Sequence, residues 1–193
     1  MRYGRADHYD VVSAFIKSMR GSEPDAAIHW LARMLEAGED ARFIARRMVI
    51  FASEDIGQAD PTSLLVAVSA AQALDFVGLP EAQLNLSQAC IHLACAPKSN
   101  RSAVAIWSAR EDVANGLVGE VPAHLRDAHY EGAESLGHGL GYVYPHDNAD
   151  VQGGRHRQQY LPEQLLGKSY FVPSENGKET AVAERLKRQR GEF

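Results

Sequence analysis

Apolar residues recur at helical spacing from residue 8 to about residue 116, and no convincing strand alternation competes with them. In HYDVVSAFIKSMRGS, Val12, Phe15, Ile16 and Met19 fall at i, i+3, i+4 and i+7, which makes one apolar stripe, and Gly21 stands where a helix stop belongs. Glu23-Pro24 opens a second helix, because proline loses nothing in a first turn and Asp25 suits the positive end of the dipole. Ile28, Leu31 and Leu35 share its inner face, widened by Trp30 and Met34, as far as Gly38. Asp40 is placed to cap a third helix with Ile44, Met48 and Phe51 on one stripe. Asp60-Pro61 and Leu79-Pro80 each precede about 16 helix-compatible residues, and Asn100 is positioned to cap a stretch from 101 to about 115. The expectation is an all-α bundle of six helices over residues 1–116, without a sequence repeat.

Two of these helices are apolar almost all round. Residues 62–77 carry Leu64, Leu65, Val68 and Phe76 among many alanines, and residues 81–96 carry Leu84 and Ile91. A helix without a polar face has to be buried on every side. That burial comes either from a central place in a monomeric bundle or from another subunit, and these six residues are the candidate oligomer-interface positions.

Beyond Gly116, glycines, prolines and aromatics replace the helical period. Tyr142, Tyr144, Tyr160, Tyr170 and Phe171 are costly to leave in water, so residues 117–193 are expected to wrap the bundle as an ordered arm, with short strand pairing possible at Tyr142 to Tyr144. Helical spacing returns over residues 177–190, where Val182 and Leu186 share a face and Arg185, Lys187, Arg188 and Arg190 gather toward the negative end of the dipole.

Charge sharpens this division. The net charge of −5 conceals 12 Lys and Arg against 20 Asp and Glu in residues 1–150, and 8 against 5 in residues 151–193. An acidic body repels phosphate backbones, so any direct DNA contact is to be sought in the tail, with Arg185, Lys187, Arg188 and Arg190 as the nucleic-acid candidates, or is supplied by another part of a larger protein. The plainer reading of these four cations, a solvated helix end that complements its own dipole, is the favoured one. Cys90 and Cys95 match no zinc spacing and read as reduced core residues. No run of about 18 apolar residues and no leader-like N-terminus occurs, so neither membrane insertion nor export is expected and the default location is cytoplasmic.

Catalytic signatures are missing: no Gly-x-x-x-x-Gly-Lys phosphate loop, no dinucleotide fingerprint, no nucleophile elbow and no helical two-histidine zinc motif. His138, His146, Asp147 and His156 form the best metal candidate by residue type, but their spacing fits no motif, so no metal site is assigned and hydrogen-bonded or surface histidines are expected. Glu54 and Asp55 are helical neighbours about 100° apart and do not converge on one atom. They read as a polar helix end, from which one carboxylate can pair with Arg46 or Arg47.

Six ordered segments carry a resemblance that spans nearly the whole chain: HYDVVSAFIKSMRGSEPDAAIHWLARMLEAGED, FIARRMVIFASEDIGQADP, DFVGLPE, APKSN, GYVYPHD and QQYLPEQLLG. Together they resemble the C-terminal region of the RarA/MgsA family of replication-associated AAA+ ATPases, whose eukaryotic relative is the Werner-helicase-interacting ATPase. The resemblance implies a helical bundle related to the collar of clamp loaders. It further implies a parent with an N-terminal ATPase domain that responds to DNA, acts at stalled replication forks in recombination and repair, and forms homotetramers through this region. ATP and magnesium would then be held by residues that precede residue 1, and the fragment alone is expected to assemble rather than catalyse. Its implied partners are copies of itself, with DNA and replication proteins engaged through the parent, and no membrane.

Overall fold

The computed structural model describes residues 5–130, 133–148 and 158–191. Seven α-helices form among them, and no strand: α1 (Arg5–Arg20), α2 (Pro24–Glu36), α3 (Ala41–Phe51), α4 (Thr62–Val77), α5 (Gln83–Cys95), α6 (Arg101–Ala114) and α7 (Glu179–Arg190). The chain clusters into two compact units, Met1–Ala103 with Ser174–Glu179, and Val104–Pro173 with Thr180–Phe193. The division falls inside α6, ahead of Gly116, where the helical period stops.

The first unit is built from the apolar stripes. Val12, Phe15 and Met19 of α1, Leu31 and Met34 of α2, and Ile44, Met48 and Phe51 of α3 are buried together with Leu86, Cys90 and Leu93 of α5. Each large side chain fully withdrawn from water contributes about 1.5–3 kcal/mol, set against the entropy lost in ordering the chain. Helix α1 packs on α2, α5 lies against both α2 and α4, and α3 lies against α4.

Helix ends follow the expected chemistry, with two shifts. Asp40 caps α3, its carboxylate accepting from the Arg42 amide at 2.9 Å. Gly38 (φ +78°) closes α2 in a left-handed turn, the Glu39 amide reaching back to the Met34 carbonyl. At the end of α1 the left-handed residue is Ser22 (φ +59°), one place after the expected Gly21, because the Glu23 amide bonds back to Ser18 and fixes the turn there. At the start of α6 the Arg101 amide meets the hydroxyl of Ser99 at 3.3 Å, one residue before the expected cap Asn100.

Helix α3 runs into a π-helical turn, Ala52–Ile56. This widened turn presents Asp55 to Arg20, whose Nε and Nη2 donate at 2.6 and 3.1 Å. The Asp55 side chain is mostly covered while Arg20 is about half exposed. That hydrogen bond is the main reason the Arg20 guanidinium is held above its ordinary pKa. The expected pairing of this segment with Arg46 or Arg47 is therefore replaced by one with α1; Arg46 lies 3.9 Å from Asp40 instead.

Between α6 and α7, turns and short 3-10 segments replace regular structure among the described residues. The side-chain amide of Gln158 both accepts from the Val143 amide (2.8 Å) and donates to its carbonyl (3.3 Å), so a glutamine supplies the backbone pairing here and not a strand, the possibility open at Tyr142 to Tyr144. Tyr142, Tyr144 and Tyr160 remain about half exposed. The arm covers its aromatics less than their size led us to expect, because the surrounding residues are glycines, prolines and short polar chains.

Candidate assembly surface and basic helix

Helix α4 turns three small residues and one leucine inward. Ser63, Ala67, Ala70 and Leu74 are buried at i, i+4, i+7 and i+11, whereas Leu64, Leu65, Val68, Phe76 and Val77 face out. Alanines on the inner face let α4 approach its neighbours α3 and α5 closely, which leaves room inside for Leu74 but not for the other bulky side chains. Helix α5 behaves similarly: Leu86, Ala89, Cys90 and Leu93 are buried, and Leu84 and Ile91 are exposed. Of the two sources of burial open to these helices, a central place in a monomeric bundle is thus corrected: their own bundle leaves large apolar side chains of both uncovered. All six candidate interface residues lie on the surface, Phe76 at 92%, Leu84 at 70% and Leu65 at 67% exposure.

Helices α4 and α5 are joined by residues 78–82 as an αα-hairpin, and each leaves large apolar side chains exposed. Phe76, Val77, Leu79 and Leu84 gather near its turn, and Leu64, Leu65, Val68 and Ile91 lie toward its open end. Cys95 is exposed at the same end, contrary to the core placement expected for both cysteines. Cys90 does lie in the core, and burial pushes its thiol up to about 12.

A polar cluster that sequence spacing does not advertise sits at the start of α4. The Ser63 hydroxyl donates to Asp60 Oδ2 at 2.9 Å, and His92 Nε2 lies 3.1 Å from Ser63 Oγ and 3.3 Å from Asp60 Oδ2. Lys178 reaches Asp60 Oδ1 at 3.3 Å, and its backbone amide donates to the Ala59 carbonyl at 2.8 Å. Burial raises the Asp60 pKa, but hydrogen bonds from Ser63, Lys178 and Thr62 outweigh it and hold the carboxyl below its ordinary value. Serine, histidine and aspartate are the residue types of a hydrolytic triad, but here both partners crowd one imidazole nitrogen and the serine is wholly buried. A triad needs the carboxylate on the opposite nitrogen and an accessible hydroxyl, so this cluster ties segments together and activates no nucleophile. The only sequence signal was the Asp60-Pro61 helix start; the partners lie 32 and 118 residues away.

Helix α7 carries the basic candidates. Arg185, Lys187 and Arg188 are exposed and Arg190 is half-buried. The histidine candidates do not converge among the described residues: His138 bonds with Tyr130 and Arg126, His146 and Asp147 are exposed, and His156 lies outside the described residues. No cluster of three metal-ligating side chains occurs among the described residues. In the second unit an open cleft of about 530 Å³ is lined by Glu120, His124, Arg126 and Glu163. Its polar groups are engaged internally, Arg126 with Glu120 and the Val121 carbonyl, His124 with the Gln159 carbonyl. No helix among the described residues is long and apolar enough to cross a membrane.

Fold and surface define an all-helical domain with a broad uncovered apolar face. The chain belongs to the family of MgsA AAA+ ATPase C-terminal domains, which matches over residues 21–190. It is 56% identical over 192 residues to an uncharacterised AAA domain-containing protein of Mycobacterium tuberculosis, covering 98% of this chain and 42% of that protein. It is 49% identical over 173 residues to replication-associated recombination protein A of Bacillus subtilis, covering 89% of this chain and 40% of the relative. With the ATPase WRNIP1 of Dictyostelium discoideum it shares 40% identity over 166 residues, 84% of this chain and 18% of the relative. The chain thus spans about two fifths of the bacterial relatives and less of the eukaryotic one.

Proposed function

We propose that this chain is the assembly region of a cytoplasmic, DNA-dependent AAA+ ATPase acting at stalled replication forks, and that it assembles as four copies with the outer face of α4 and α5 as a contact between them. The observation that carries the reading is the orientation of Leu64, Leu65, Val68, Phe76, Leu84 and Ile91, six large apolar side chains exposed on one hairpin. Monomeric soluble proteins rarely leave contiguous apolar patches above a few hundred Å² in water. A stable subunit contact covers about 800 Å² per partner, and large apolar side chains left in water are the groups from which such a contact is made. Charged residues are sparse on this face, which matches the centre of a self-association surface.

ATP and magnesium belong, in this reading, to an ATPase domain carried by the longer parent, as do the contacts with DNA and replication proteins. AAA+ sites sense nucleotide at subunit boundaries. A helical collar that fixes subunit number and spacing lets hydrolysis in one site become motion of one subunit against the next.

Light scattering after size exclusion tests the assembly step. The chain is expected at four times its 21.1 kDa mass without nucleotide, and Leu65→Ser with Phe76→Ser is expected to lower that mass while preserving helical content. A wild-type monomer at about ten times the micromolar Kd typical of weak contacts overturns the reading.

A further inference from the structure

Helix α6 repeats the inversion of α4 in the second unit, on a face the assembly reading does not use. Ala105, Ser108, Ala109 and Asp112, a stripe at i, i+3, i+4 and i+7, form its covered side. The arm holds that side: Tyr170 donates its hydroxyl to Asp112 at 2.9 Å, and Lys168 pairs with the same carboxylate at 2.7 Å. The opposite side carries Ile106, Trp107 and Val113, each more than half exposed, with Arg110 and Ala114 between them and Leu117 just beyond.

We infer that this outer face of α6 is a second, isologous contact between copies of the chain, with the two α6 helices antiparallel. The inference rests on the tetrameric reading above: a dihedral tetramer is built from two different self-complementary contacts, and the chain presents two separate apolar faces, one in each compact unit. The helix is self-complementary in this sense. Across a two-fold axis near Ala109–Arg110, Ile106 meets Val113 of the partner subunit, and Val113 meets the partner's Ile106. Both are on the same flank of the helix, seven residues apart. Trp107 then lies over the gap between the partner's Arg110 and the partner's Ala114, where the small residue makes room and the guanidinium faces the indole. Tryptophan and arginine at the middle of a contact are the residue types that dominate binding energy, and the two central guanidiniums, one from each copy, are each accommodated by the other copy's indole ring instead of by water.

The test compares four proteins by light scattering, with far-UV circular dichroism as the check on folding: the wild type, Leu65→Ser with Phe76→Ser, Ile106→Glu with Val113→Glu, and the combination. A wild-type tetramer, a twofold smaller particle for each pair of substitutions and a fourfold smaller one for the combination is the expected result. Tetramer mass retained by Ile106→Glu with Val113→Glu overturns the α6 contact and leaves assembly through α4 and α5 standing. A wild-type dimer that only the α6 substitutions convert to monomer keeps this contact and overturns the other. A wild-type monomer overturns both.

Cross-linking keeps the geometry falsifiable if the glutamates unfold the helix. In a Cys95→Ser background, Ile106→Cys with Val113→Cys is expected to give a covalent dimer on oxidation. Within one helix the two positions are about 10 Å apart, beyond the reach of an intrachain disulfide. Neither single cysteine variant should cross-link. A dimer from Ile106→Cys alone overturns the antiparallel arrangement.

Discussion

Ser22 shows how a single residue sets the end of a helix. It occupies the left-handed conformation (φ +59°) that Gly38 and Gly116 adopt at the same position of their own helix ends, and it does so with a side chain. A left-handed L-residue costs roughly 1–2 kcal/mol, offset in part here by the hydrogen bond that Lys98 Nζ donates to the Ser22 hydroxyl at 3.2 Å. Replacing Ser22 by glycine removes the strain, loses that exposed bond and loosens the unfolded chain. The net expectation is a gain of about 0.5 kcal/mol, a rise in Tm of about 1–2 °C by thermal unfolding. A lower Tm for Ser22→Gly would mean that the Lys98 contact outweighs the backbone strain. The sequence did not disclose this position, since Gly21 is the better stop by residue type. The Glu23 amide bonding back to Ser18 decides it.

Between elements, Asp60 joins the start of α4 to His92 on α5 and to Lys178 before α7. Its folded pKa lies below the ordinary aspartate value, so its contribution is complete above about pH 3.9 and is lost as the pH falls through the folded value. Asp60→Asn removes the charge but not the shape. We expect it to cost about 1–2 kcal/mol at pH 7, the scale of hydrogen bonds to a charged group, and the wild type to lose that advantage below pH 4. A Tm difference between the two proteins that persists unchanged at pH 2.5 would show that the Asp60 charge is not what ties these segments. Element positions were largely legible beforehand: α4 spans Thr62–Val77 where residues 62–77 were expected, because Pro61 and Gly78 punctuate it. The direction each helix faces was not. A helix apolar all round has no polar side to mark solvent, and close approach to α3 and α5 selects Ser63, Ala67 and Ala70 for the inside by volume, not by hydrophobicity. The π-helical turn was equally hidden, since nothing in residues 52–56 distinguishes it from an ordinary helix end, yet it redirects Asp55 from α3 to Arg20 on α1.

For the whole molecule, the open choice is whether the basic end binds DNA by itself. The chain carries an excess of acids up to residue 150 and an excess of bases beyond it. Of the four candidate cations, Arg185, Lys187 and Arg188 are exposed and Arg190 is half-buried, so one tail offers little more than three charges to a phosphate backbone. Each neutralised phosphate on a single strand contributes about −0.7 to the slope of log affinity against log salt. Three contacts therefore give a shallow slope and weak binding at physiological salt. Assembly changes the arithmetic without changing the contact: four tails on one particle raise the apparent affinity by roughly 10²–10⁴ if a strand can reach more than one of them. We expect weak, salt-sensitive binding of single-stranded DNA at low salt and negligible binding at physiological salt. Changing Arg185, Lys187, Arg188 and Arg190 to glutamine should remove the low-salt component. Substantial wild-type binding at physiological salt that the glutamine variant loses would place DNA recognition in α7 and make the basic helix a functional element, where dipole complementarity alone accounts for it otherwise.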